Sequence, residues 1–200
     1  MLKKCIVLAG MLLLPATAQA QIAWDTPLLV SPNEMAGWGL YLADVHGGEL
    51  GVIGTYRAPG WGFGLRGGLA EAHDDDIGFL FGVDIEGDVV RHNANFPLDV
   101  DWVFGGGVGT GDGARVSVPL GLVAGRELRA EGATFTPYVS PRVVLDLLFG
   151  RDTPGDEDDS EADLGFSVDL GLDLRFASNF MIRFGGTFGD HEGVAIGVVF

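Results

Sequence analysis

Residues 164–200 read LGFSVDLGLDLRFASNFMIRFGGTFGDHEGVAIGVVF, and their alternation decides the fold. Leu164, Phe166, Val168, Leu170, Leu172, Leu174 and Phe176 form an apolar row. Gly165, Ser167, Asp169, Gly171, Asp173 and Arg175 form a small or charged one. Successive strand side chains point to opposite faces, so this spacing predicts a strand. After Ala177-Ser178-Asn179 the row resumes as Phe180, Ile182, Phe184 and Phe188. It resumes again after residues 189–193 as Val194, Ile196, Val198 and Phe200. Three antiparallel strands with tight connections follow. The pattern by itself fits a soluble sandwich, with apolar faces pressed together. It fits equally a membrane barrel, with apolar side chains outside and polar ones in the lumen.

The same alternation runs upstream to Met35. Rows headed by Trp38, Leu50, Trp61, Ile77, Val100, Val116 and Phe135 are separated by Gly-rich or acidic turns, and no helical period interrupts them. Pro137 and Pro141 weaken the row that begins at Phe135, because each removes a ladder donor. About ten strands of roughly ten residues result; at a tilt near 40° each rises ~25 Å, the height of a lipid-facing band. If residues 21–59 were an extension, eight strands would remain. The expected fold is therefore all-β: a closed antiparallel up-and-down transmembrane β-barrel of ten strands, eight being possible. Residues 21–34 carry two prolines, Pro27 and Pro32, and no sustained period. They are expected to form a periplasmic extension against the barrel's inner end, ahead of a barrel over 35–200.

Residues 1–20 have the form of a secretory signal peptide. Lys3 and Lys4 precede a short apolar run, and Ala18-Gln19-Ala20 fits a small-x-small cleavage site. Cys5, the one cysteine, falls within that segment, so the remainder can form no internal disulfide. Without residues 1–20 the chain keeps ten arginines against 28 acidic residues, a net charge of −18. That balance argues against nucleic acid as a partner.

The inner rows carry Arg66, Asp84, Asp101, Arg142, Asp146, Asp169, Asp173 and Arg183 deep within strands. A closed barrel can place such residues in its lumen and pair arginine with aspartate. Counting connections back from Phe200 puts the acidic loops at one end, including 71–76, 151–161 and 190–192. The other end takes Arg57, Arg91, Arg126, Arg129 and Arg175.

The chain resembles the small outer-membrane β-barrels of Gram-negative bacteria, the OmpA/OmpX-like group. The resemblance covers the export signal and residues 35–200, and Gly193-Val194-Ala195-Ile196-Gly197-Val198-Val199-Phe200 is its most specific part. It implies that Phe200 is the signal read by the barrel-assembly machinery and lies at the periplasmic rim. It also implies that the acidic loops face outward, among outer-membrane lipid and lipopolysaccharide. The best-known members have eight strands, a departure from the ten counted here.

Chemistry is sparse. His73, Asp75 and His191 share one end and resemble the rim of the omptin proteases, in which a histidine acts as general base beside carboxylates. Acidic loop tips with an occasional histidine are equally ordinary solvated turns. A lipid-modifying barrel would need serine beside histidine. All four histidines fall in loops, and Ser117, Ser140 and Ser167 have no histidine nearby in sequence. Glu157, Asp158, Asp159 and Glu161 could gather a divalent cation, but without calcium-loop spacing. The sequence therefore favours a non-enzymatic, monomeric barrel without cofactor. Its role would be structural or surface-interactive, and its lumen mostly closed by Arg–Asp pairs. The alternatives are a surface hydrolase and a narrow solute channel.

Overall fold

The computed structural model describes residues 21–72, 76–111, 113–150, 160–177 and 179–200. Among them are eleven strands and no helix. They are β1 (Gly37–Asp44), β2 (Leu50–Arg57), β3 (Phe63–Glu71), β4 (Ile77–Val90), β5 (Asp99–Gly111), β6 (Gly113–Gly125), β7 (Leu128–Ala130), β8 (Ala133–Phe149), β9 (Ser160–Ala177), β10 (Phe180–Gly189) and β11 (Gly193–Val199). Each strand pairs antiparallel with its neighbour in sequence, except that β6 pairs with β8, while the three-residue β7 pairs with β8 alone. β1 pairs with β11 through Gly39↔Val199 to Asp44↔Val194. The result is a closed up-and-down barrel of ten strands, with β7 a short addition beside β8. Among the described residues, closure leaves the ten wall strands without an open edge. The eight-strand option falls, because β1 and β2 are full members of the wall. Pro137 and Pro141 do not interrupt β8; both stand on its outward row and the strand runs through them.

The alternating rows produce an inverted distribution of polarity. Outward positions expose Trp38 (61%), Phe79 (62%), Leu164, Phe166 and Leu170, whereas Arg142 and Arg183 (0%) are among the largest fully buried side chains. Trp38 and Tyr56 stack outside the wall, their ring centroids 4.8 Å apart, at the rim where β1 begins. Trp38 N–H donates to Phe200 O and Phe200 N–H to Trp38 O, both at 2.9 Å, so the terminal residue closes the β1–β11 seam.

Residues 21–31 differ from the expectation. Instead of lying against an end, they thread the lumen and are buried throughout. The segment leaves β1 at the rim of Trp38 and climbs to the opposite rim. There Ala23 N–H donates to His46 O (2.9 Å), and Gln21 forms an antiparallel bridge with Gly111. The physical reason lies in the wall. Ten strands enclose more space than small inward residues can fill, and β4 and β5 turn Gly78, Gly82, Gly105, Gly107 and Gly109 toward that space. Trp24 and Ile22 occupy the trough these glycines leave. Ile22, Trp24 and Leu29 pack with Tyr41, Ile53 and Leu80 on one side. Leu28 and Val30 pack with Val103, Val123 and Tyr138 on the other.

Candidate functional site

The site is the lumen, and three arginines organise it. Arg183 of β10 faces its register partner Asp173 of β9 and forms a forked pair with it, Nε–Oδ1 2.7 Å and Nη2–Oδ2 2.8 Å. It also reaches Ser31 Oγ (2.8 Å), Glu34 (2.6 Å) and Leu29 O on the luminal segment. Ser31 Oγ in turn donates to Asp173 Oδ2 at 2.6 Å. Arg142 of β8 binds Asp169 through Nε (2.8 Å) and holds Asp25 through both its carboxylate and its backbone oxygen. Asp169 additionally accepts from Leu28 N–H (3.3 Å) and Thr187 Oγ1 (2.5 Å). Among the described residues Arg66 of β3 makes no carboxylate pair. Its guanidinium donates to three backbone oxygens of the segment, Trp24 O (3.1 Å), Pro27 O (2.6 Å) and Leu28 O, and lies 5.7 Å from the Trp24 ring centroid.

All eight luminal residues expected from the sequence point inward and are buried. Only Arg142–Asp169 and Arg183–Asp173 pair among themselves. Asp84 is taken by Arg57 (2.6 Å), Asp101 by Arg91 (3.1 Å), and Asp146 by Ser117 and His191. The sequence reading missed Asp25, Ser31 and Glu34, because 21–34 has no period to place them. The available signal was the run of inward glycines on β4 and β5, a wall surface with nothing of its own to fill the space before it.

At the rim where β1 begins, a vestibule of about 450 Å³ is lined by Glu34, Arg57, Trp61, Glu86, Arg91 and Asp101. Asp99 fastens the loop beside it, accepting from His92 N–H at 2.9 Å with the His92 ring Nδ1 also 2.9 Å away.

At the opposite rim, Trp24 Nε1–H donates to Ser117 O (3.0 Å), Ser117 Oγ donates to Asp146 (2.5 Å), and His191 Nε2 lies 2.7 Å from the other Asp146 oxygen. His191 N–H donates to Ser167 Oγ at 3.2 Å. The fold thus brings His191 to Ser167 directly, from 24 positions away, and to Ser117 through the shared Asp146 carboxylate. The contact is structural, since neither hydroxyl meets an imidazole nitrogen. His191 is 3% exposed. Its proposed companions His73 and Asp75 lie outside the described residues, as do Glu157, Asp158 and Asp159 and residues 1–20; Glu161 is exposed on β9. Among the described residues no group of three or more His, Cys, Asp or Glu side chains is arranged to hold a metal.

His46, in the β1–β2 turn, packs against His191 with ring centroids 4.8 Å apart, and its Nδ1 accepts from Glu192 N–H at 3.4 Å. Burial lowers its pKa from 6.5 to about 4, aided by the His191 ring and Arg115 and opposed by Asp146 and Asp25. Between these values the released ring takes up a proton that the seated ring refuses. Stability therefore rises with pH across this window and is lost on acidification, with a ceiling of about 3 kcal/mol. Acidification from pH 7 to 4.5 is expected to expose the segment near Ala23 to protease, and His46→Asn to flatten that response. An unchanged pH profile in the variant would exclude His46 as the cause.

No protein-family profile matches the sequence, and no curated protein does. Several solved structures are similar. One is Ail, the attachment invasion locus protein of Yersinia pestis, solved in complex with the heparin analogue sucrose octasulfate. It has 11% identity and a TM-score of 0.28, over 82% of this chain and 98% of that one. Another is KdgM porin, at 10% identity and a TM-score of 0.32, over 82% of this chain and 96% of that one. Likenesses this remote transfer no function.

Proposed function

We propose that the chain is an integral outer-membrane β-barrel of monomeric, non-enzymatic type, closed by its own N-terminal segment and acting in envelope structure or surface contact. The observation that carries this reading is the inversion of polarity: arginines and aspartates are sealed inside while large apolar side chains cover the outside. A water-soluble monomer rarely exposes a contiguous apolar patch beyond several hundred Å², and a belt around a whole barrel exceeds that. Lipid is the solvent in which such a belt is stable and a closed strand ladder satisfies every backbone group. The Trp38–Tyr56 stack suits the interface between lipid and water, where amphipathic rings settle.

In this orientation the loops at 45–49 and 190–192 and the neighbouring ends of β3, β5 and β8 face outward, and Glu49, Glu71, Asp190 and Glu192 present an acidic rim to lipopolysaccharide. Phe200 sits at the periplasmic side, where the assembly machinery would read it. Burial of His191 against Asp146 supports the non-enzymatic reading over a rim hydrolase. The test is cell fractionation with gel mobility before and after boiling. The protein is expected in the outer-membrane fraction, with faster migration unboiled. Recovery as a detergent-free soluble monomer would overturn the proposal.

A further inference from the structure

We infer that residues 21–31 are a displaceable plug and that the barrel is a gated pore for ions and small hydrophilic solutes. This rests on the membrane-barrel reading above and deepens it.

The first ground is the nature of the interface. Beside the apolar seats of Ile22 and Trp24 in the trough and of Leu28, Leu29 and Val30, the plug meets the wall through polar groups: Arg66 on three of its oxygens, Arg142 on Asp25, Asp169 on Leu28 N–H, and Arg183 on Ser31. Water can replace each of these partners. The second ground is the wall left behind. Arg142 keeps Asp169, Arg183 keeps Asp173, and Arg57 keeps Asp84, so these arginines remain paired when the plug departs. Arg66 becomes a hydrated cation facing the passage. The ten-strand ladder closes without any bond from the plug, so the ring does not depend on it. The third ground is connectivity. Once residues 1–20 are cleaved as an export signal, the plug is tethered by the chain through β1 alone, and the vestibule of about 450 Å³ lies at that end. The wall left behind carries apolar patches at Ile53, Val103 and Val123, but its arginines, aspartates and bare glycine backbone give entering water enough polar partners to hold it.

The test ties down the free end. Gln21 and Gly111 are antiparallel bridge partners, at a separation compatible with a disulfide. The remaining chain has no other cysteine after residue 20. Full-length mature protein carrying Gln21→Cys and Gly111→Cys is inserted in planar bilayers in potassium chloride, oxidised and then reduced. A second version adds Arg66→Gln, which weakens the plug's hold without touching its tether; each charged hydrogen bond lost favours opening by about tenfold or more. Reduced protein is expected to show discrete openings, most frequent with Arg66→Gln, and oxidation to suppress them at least about tenfold. Equal conductance in both redox states, or silence in both with the Arg66→Gln version inserted and heat-modifiable, would overturn the gate. Failure of every version to insert would strike the membrane reading itself, and the pore with it.

Discussion

Gly82→Ala is expected to unseat Trp24 and destabilise the barrel by about 3 kcal/mol or more, the range in which losing a large buried aromatic falls. A Cβ at position 82 would lie 1.9 Å from the Trp24 ring, and one at 107 would lie 2.6 Å from it. The ring has little room to retreat. Its Nε1–H is bound to Ser117 O, and Gly105 backs its far edge, where a Cβ would come within 2.9 Å. Relief therefore requires the segment around Trp24 to lift from the trough, which forfeits the Arg66 contacts to Trp24 O and Pro27 O as well. Gly106→Ala is the control: a Cβ there meets nothing within 4 Å, so its effect should stay within about 0.5 kcal/mol. Trp24→Ala in the Gly82→Ala background should cost less than the sum of the two single changes. Urea titration in detergent, followed by tryptophan emission and heat-modifiable mobility, measures all four proteins. Equal stability of the Gly82→Ala and Gly106→Ala variants would remove the trough from the account.

The sequence made the wall readable and left its contents hidden, for a physical reason. Strand alternation has a period of two, so Leu164 to Phe176 announces its faces residue by residue, and β9 obeys it. The same rule assigns Arg66, Asp84, Asp101, Arg142, Asp146, Asp169, Asp173 and Arg183 to the inner rows, and all eight are buried. Periodicity reports a side chain's direction and not its partner. Arg183 and Asp173 are register neighbours across adjacent strands, and their pairing follows once the hairpin is drawn. Arg66 gave no such cue: its acceptors are carbonyls of a segment 38 to 42 positions away. That segment lacks any period, because its shape is imposed by the lumen it fills. Its ends are fixed by long-range contacts, Gln21 with Gly111 and Phe149 and Glu34 with Arg57 and Arg183, and no local rule predicts these. His191 likewise reads as a loop residue, correctly, while its ring is turned into the barrel toward Asp146.

Arg183→Met should prove more damaging than its modest change in volume suggests, at about 3–5 kcal/mol, because it strands charge without water. Asp173 would keep the hydroxyl of Ser31 and lose both guanidinium nitrogens. Glu34 would lose one of its two arginines and retain Arg57 at 3.1 Å. Ser31 and Leu29 O would lose a donor each, so the damage spreads from the β9–β10 wall into the luminal segment. Arg183→Lys keeps the charge, yet a single ammonium cannot reproduce the planar fork. It should fall between wild type and Arg183→Met. Asp173→Asn placed on Arg183→Met removes the stranded carboxylate and should recover a substantial part of the loss, since the cost lies in an unpaired charge and not in a missing attraction. Urea midpoints of these proteins in one detergent decide the matter. If the double variant is no more stable than Arg183→Met alone, the penalty lies in packing around position 183, and the ion pair loses its place as the anchor between wall and plug.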